Sequence, residues 1–157
     1  MANFNRKLGK IIPKGRRYTD PLRTLAWGTD AGFYRMIPQV VVRSKTEEEV
    51  SAVLKAANEE GVAVTFRAAG TSLSGQAVSD SVLLVAGKNW EKYQFHPENN
   101  TITLQPGIVG ARVNAILSKY GRCFGPDPAS IGSCMVVRYL PNPEIKRSVC
   151  VFLRVLV

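Results

Sequence analysis

Residues 67–76 read RAAGTSLSGQ, a run with no charge after Arg67, four Ala or Gly residues, three hydroxyls and one amide. These residue types suit an oxyanion. The acceptor oxygens of a diphosphate can be satisfied by main-chain N–H groups only where side chains leave room, and glycine gives that room and tolerates positive φ. Thr71, Ser72 and Ser74 add hydroxyl donors. The run therefore has the chemistry of a phosphate cradle; on chemistry alone a plain surface turn is the competing reading. It is not a Walker loop, because no Gly-Lys-Ser/Thr follows, and the GxGxxG dinucleotide fingerprint is missing.

Other chemistry-bearing residues are sparse. His96 is the single histidine, which excludes most His-based metal sites and triads within this chain. Cys123, Cys134 and Cys150 are odd in number and lack metal-ligand spacing. A disulfide framework is not expected, and a reducing, cytoplasmic setting is. No basic residue beside Cys134 activates it as a nucleophile. Asp127 sits in GPDPAS, where two prolines fix φ; a turn-forming carboxylate that bonds nearby amides is expected there rather than an acid or base. Arg67 either pairs with a phosphate or closes a strand at the surface. Trp27 and Tyr34 are packing residues or part of an arm that folds over the domain that follows.

The elements that must position the loop follow from patterning. Residues 1–35 carry eight Lys/Arg against two Asp/Glu, residues 36–136 nine of each, and residues 137–157 four against one, within a net charge of +9. Residues 1–35, punctuated by Pro13, Gly15, Pro21, Gly28 and Gly32, read as an extended basic arm with one short helix near Asp20–Trp27. The arm is either solvated or touches an anionic lipid surface or a partner. No run of 18 apolar residues suggests a membrane span, and the N-terminus does not read as a secretory signal.

From Pro38 the chain becomes regular. IPQVVVR is a short strand. TEEEV opens a helix of about 14 residues, with Thr46 as its cap and Glu49 closing a capping box; Val50, Val53, Leu54 and Ala57 form its buried stripe. VAVTF is a second strand, and the helix length suits a crossover between parallel strands. RAAGTSLSGQ leaves the carboxyl end of that strand, where α/β folds keep ligands. SVLLVA is a third, buried strand, and KYQFHPENNTITLQP a hairpin around residues 97–100. VGARVNAILSKYG is a second helix with Val109, Val113, Ile116, Leu117 and Tyr120 on its apolar face. The end, VRYLPNPEIKRSVCVFLRVLV, is either a buried edge strand or an aggregation hazard.

VTFRAAGTSLSGQAVSDSVLLV resembles the FAD-binding domain of the vanillyl-alcohol oxidase and p-cresol methylhydroxylase superfamily, in its D-lactate dehydrogenase and glycolate oxidase branch. Four further stretches match in order: LAWGTDAGFYR (Leu25–Arg35), PQVVVRSKTEEEV (Pro38–Val50), LQPGIVGARVN (Leu104–Asn114) and GPDPASIG (Gly125–Gly132). The resemblance covers residues 20–136. LAWGTDAGFYR is similar to long bacterial members that join the flavin domain to an iron–sulfur domain. Many relatives carry glycine where Ala68 and Ala69 stand.

The resemblance implies an α/β (α+β) fold and FAD as cofactor. It implies that Ala69, Gly70, Thr71, Ser72 and Gly75 line the FAD pyrophosphate, with Gln76 near the flavin end. Pro126, Asp127, Pro128 and Ser130 would form a second wall, and Pro106 and Gly107 would shape the turn beneath. His96 lies outside both loops as an exposed, turn-flanking residue, so noncovalent FAD is expected. The parent reaction moves hydride from the α-carbon of a D-2-hydroxy acid to the flavin. No residue of 1–136 is assigned as its base or carboxylate anchor.

After Val136 the match stops within one residue. The expected organisation is a basic arm (1–35), a partial FAD-binding domain (36–136) and an atypical tail (137–157) translated out of frame. Such a chain is expected to bind FAD weakly or not at all in isolation, and to be inactive without the remainder of the enzyme. The competing class is a non-enzymatic basic module binding anionic lipid or RNA; a nucleic-acid domain would usually carry its basic face on folded elements, and nucleic acid is not expected as a partner.

Overall fold

A computed structural model describes residues 1–136 and 153–156. The chain divides into two compact units, Met1–Gly87 and Lys88–Val157.

The first unit begins with a helix that the charge pattern conceals. Helix α1 spans Ala2–Ile11 and buries Phe4 and Leu8. Ile12, one turn further on, is also fully buried. The spacing of four places these three residues on one stripe. Lysines and arginines occupy the other faces, which is why composition alone suggests a solvated arm. α1 packs on helix α3 (Glu47–Glu59). Lys7 Nζ lies 2.7 Å from both the Glu59 and Glu60 carboxylates. The expected extended arm is thus corrected: its first third is an amphipathic helix docked on the core. The short helix expected near Asp20 is present as α2 (Pro21–Ala26), with Asp20 accepting from the Arg23 amide and proline at the first turn.

Four strands make the sheet of this unit: β1 (Arg17–Tyr18), β2 (Val40–Arg43), β3 (Val64–Arg67) and β4 (Val82–Val85). Their order is β1-β2-β4-β3. β2 and β3 both run parallel to β4, whereas β1 is antiparallel to β2. The expected crossover therefore exists, but its two strands are not neighbours; β4 inserts between them. SVLLVA is the most apolar segment and takes the centre, with all four of its strand residues buried. Val41, Leu83 and Val85 cluster on one face, against Tyr18 and Trp27. Helix α3 is capped by Thr46, which accepts from the Glu49 amide at 3.3 Å. The returning carboxylate bond goes to the Lys45 amide, at 2.8 Å from Glu49 Oε2.

The second unit is built on a hairpin, β5 (Tyr93–His96) and β6 (Thr101–Leu104), turning through Pro97–Asn99. β7 (Leu153–Leu156) pairs antiparallel with β6 at the sheet edge. The rest of the expected atypical tail lies outside the described residues. Helix α4 (Gly110–Leu117) buries Val113 and Leu117 into a cluster with Ile102, Leu104, Ile108, Phe124 and Val136. Tyr120 is 55 % exposed, yet its ring stacks on Phe95 at 4.3 Å between centroids.

Candidate functional site

The loop sits where the topology places ligand loops. β3 is an edge strand, and its carboxyl end releases the chain into residues 68–80 before it returns through β4. Two glycines of the loop have left-handed backbone: Gly70 and Gly75, each at φ +74°. Other residue types rarely adopt this region.

The side-chain groups of the loop fold the loop itself. The Ser72 hydroxyl accepts from the amides of Ser74 (3.2 Å) and Gln76 (3.3 Å) and is bonded to Gln76 Oε1. Ser72 and Gln76 therefore brace one another across the bend. Gln76 is exposed and Ala69 exposed, while Gly70, Thr71, Ser72 and Gly75 are half-buried. Among the described residues, the amides of Ala69, Gly70, Ser72, Leu73 and Gly75 donate to no protein acceptor. A bend with several undonated main-chain amides is a ready anion receptor.

Arg67 closes β3, as one reading of the sequence has it, but it is half-buried rather than at the surface. Its Nη1 reaches the carbonyls of Thr29 (2.6 Å), Ala77 (3.1 Å) and Trp27 (3.4 Å). Its guanidinium lies over the Trp27 ring, 5.2 Å from the centroid. Burial pushes its pKa down, partly offset by the Asp30 charge; a guanidinium remains protonated nonetheless. Trp27 is a packing residue against the sheet, and Tyr34 lies against Gly75: a Cβ at that glycine would be 3.1 Å from the Tyr34 ring. LAWGTDAGFYR runs along the loop, with the Ala31 amide 3.0 Å from the Gly70 carbonyl.

The other expected wall, Pro126 to Ser130, belongs to the second unit. Pro126 and Asp127 are exposed, Pro128 and Ser130 half-buried. Asp127 makes no amide bond among the described residues. The turn is instead held by main-chain carbonyls: Pro128 accepts from Ile131 (2.9 Å), and Ser130 from Ser133 (2.9 Å) and Cys134 (2.8 Å). The following residues close over the start of α4, where Gly110 and Ala111 amides donate to the Cys134 and Ile131 carbonyls, both at 3.0 Å. Those amides are spent within the protein. His96, expected to be exposed, is only 22 % exposed at its side chain, with Nε2 3.1 Å from Thr103 Oγ1 and Nδ1 3.5 Å from Glu98. Pro106 and Gly107 do form a turn beneath the hairpin, with the Gly107 amide on the Trp90 carbonyl at 2.7 Å.

The profile of the family described as FAD binding domain matches residues 38–137. The chain belongs to that family. This FAD-binding domain is 32 % identical over 105 residues to the GlcD subunit of glycolate oxidase from Escherichia coli K12, covering 66 % of this chain and 21 % of the relative. It is 34 % identical over 107 residues to the mitochondrial, cytochrome-linked D-lactate dehydrogenase of Arabidopsis thaliana, covering 65 % and 19 %. Crystalline p-cresol methylhydroxylase with substrate bound shares the fold: TM-score 0.62, 16 % identity, covering 77 % of this chain and 25 % of that one. The fold expected from the sequence is thus the one found, and FAD is the cofactor of the domain. The chain spans about a fifth of the length of these curated relatives.

The residues present fit that cofactor. The FAD-binding domain offers a neutral, small-residue bend whose undonated amides match diphosphate oxygens, with the Arg67 charge close beneath Gly70. No acidic side chain lies within the loop to repel the anion.

Proposed function

We propose that this chain is the FAD-binding portion of a flavin-dependent dehydrogenase for D-2-hydroxy acids, of the D-lactate and glycolate type, and that Ala69–Gln76 holds the FAD pyrophosphate. The observation that carries the proposal is the bend after β3, with two left-handed glycines and five amides lacking protein acceptors. Bound FAD supplies the capacity to accept hydride. The residues of this chain bind and orient it. Ala69, Gly70, Thr71, Ser72 and Gly75 present main-chain donors, and Gln76 marks the flavin end. For Pro126, Asp127, Pro128 and Ser130 of the second unit, the support for a role at FAD is the family resemblance alone. FAD is held noncovalently, His96 being engaged within its own hairpin.

The chain by itself carries no assigned substrate residue, so it turns nothing over. Activity requires the remainder of the enzyme as a partner. The electron acceptor is read as an iron–sulfur domain from the LAWGTDAGFYR resemblance, and the setting as cytoplasmic, with contact at the membrane periphery.

The competing reading, a basic module for anionic lipid or RNA, draws on the charge of residues 1–35. Lys7 and Arg16 are already matched by Glu59, Glu60 and Glu49. That leaves less of the charge for an outside polyanion and favours the flavin reading.

Titration of the purified chain with FAD, followed by flavin fluorescence and by the visible flavin bands, tests the proposal. Saturable one-to-one binding, weak for this portion alone and insensitive to D-lactate, is expected. Absence of binding, together with salt-sensitive retention of RNA or anionic vesicles, would replace it with the second reading.

A further inference from the structure

We infer that Arg67 is a positioning residue: it locks the strap Trp27–Arg35 along the FAD loop and thereby fixes the direction in which the loop amides point. The inference rests on the proposed role of the loop in holding FAD.

The lock has three parts. The first is the guanidinium. From β3 it gathers the carbonyls of Trp27 and Thr29 on the strap and of Ala77 beyond the loop, 2.6–3.4 Å from Nη1. One side chain thus joins β3, the strap and the chain beyond the loop. Charge-assisted bonds are the stronger kind, and these are partly withdrawn from water. The second is Trp27. Its ring is packed on Val41, Leu83 and Val85 of the sheet, and the Arg67 guanidinium lies over the ring, 5.2 Å from its centroid. The guanidinium is thus tied to the core through Trp27.

The third part reaches the cofactor amides. The Ala31 amide donates to the Gly70 carbonyl at 3.0 Å. No peptide bond in the described residues is cis. In a trans peptide the carbonyl and the following N–H point in opposite directions. Tying the Gly70 carbonyl to the strap therefore turns the Thr71 amide away from it. Gly70 itself is shaped around the lock, since a Cβ there would fall 2.7 Å from Arg67 Cζ. Gly32 closes the contact further along, where a Cβ would meet the Leu73 carbonyl at 2.8 Å. The strap holds one side of the bend and so sets the orientation of the neighbouring peptides, among them the Ser72 and Leu73 amides, which donate to no protein acceptor among the described residues.

Two groups in the lock remain without partners: Arg67 Nε and Asp30 Oδ2, both buried. Asp30 accepts from the Gly32 amide through Oδ1 at 2.8 Å, so it shapes the strap rather than neutralising Arg67. The guanidinium charge is committed to carbonyl dipoles and is not cancelled by a paired carboxylate.

The test uses the 157-residue chain, Arg67→Ala and Arg67→Lys. Amide hydrogen exchange at Ala31 reads the lock without cofactor, and FAD titration reads its consequence. Arg67→Ala is expected to speed exchange at Ala31 at least about tenfold and to weaken FAD binding by a similar factor, with exchange in β2 and β4 unchanged. Arg67→Lys keeps the charge but cannot span the carbonyls, and is expected to recover only part of either effect. Millimolar methylguanidinium added to Arg67→Ala is expected to restore both. The inference is overturned if Ala31 stays protected without the guanidinium, or if protection is lost while FAD affinity is kept. If Arg67→Ala fails to fold, the lysine variant decides on the same two readouts. Should the native chain take up no FAD, the proposed function fails and the lock stands or falls on exchange at Ala31 alone.

Discussion

Arg16 and Glu49 form a two-pronged ion pair, Nη1 to Oε2 and Nη2 to Oε1, each at 2.6 Å. The same guanidinium donates to the Arg43 carbonyl at 3.2 Å, and the same carboxylate accepts from the Lys45 amide. The pair thus fastens the segment after α1 to the end of β2 and the start of α3.

The pair makes the first unit acid-sensitive. The Arg16 guanidinium, with the Lys45 amide in support, holds Glu49 below the usual carboxylate range. A depressed folded pKa contributes stability that is full above the unfolded value, about 4.3, and is lost as pH falls through the folded one. The pair is partly open to water, so the loss is at most about 1 kcal/mol. Urea melts of native chain and Glu49→Gln should differ at pH 7 and converge below pH 4. A constant difference across that range would assign the effect to packing.

Phe4 tests whether the N-terminal helix belongs to the core. Its side chain is fully buried. Phe4→Ala should cost about 3–5 kcal/mol, the range for aromatic truncation in a core. Chemical denaturation measures it. A loss under about 0.5 kcal/mol would mean that α1 is a loosely held arm after all.

Gly75 and Tyr34 should show coupling. Alanine at Gly75 meets both a left-handed backbone and the Tyr34 ring at 3.1 Å. Gly75→Ala is expected to cost about 1–3 kcal/mol. In a Tyr34→Ala background only the backbone part should remain, a coupling of about 0.5 kcal/mol or more. A strictly additive cycle would show that Tyr34 does not press on the loop in solution.

FAD should stabilise the native fold. A ligand that binds only the folded state, at a hundred times its Kd, adds about 2.7 kcal/mol. Differential scanning calorimetry should show an upward shift in Tm with FAD that adenosine alone does not reproduce. An unchanged Tm at saturating FAD would contradict noncovalent binding to this domain.

Much of the local structure was readable because it is set by neighbours in sequence. Thr46 caps α3, Pro97 to Asn100 turn the hairpin, and Val82 to Val85 make a buried strand, each from signals within a few residues. The loop was readable for the same reason. Its small residues and hydroxyls mark an open, polar bend before any fold is known. α1 was missed because Phe4, Leu8 and Ile12 make a stripe of only three residues in a segment that Arg6, Lys7 and Lys10 mark as basic. Their burial depends on α3, more than thirty residues away.

The sequence by itself determined the elements, the chemistry of the bend and the flavin family, because those depend on residue type and short-range spacing. Tertiary structure decided the rest. It placed β4 between β2 and β3, gave the Arg67 guanidinium the Thr29, Ala77 and Trp27 carbonyls, and gave LAWGTDAGFYR its place along the loop. A guanidinium is satisfied by any well-placed set of acceptors. Which set it finds depends on segments brought together only when the chain packs, and no local pattern encodes that meeting.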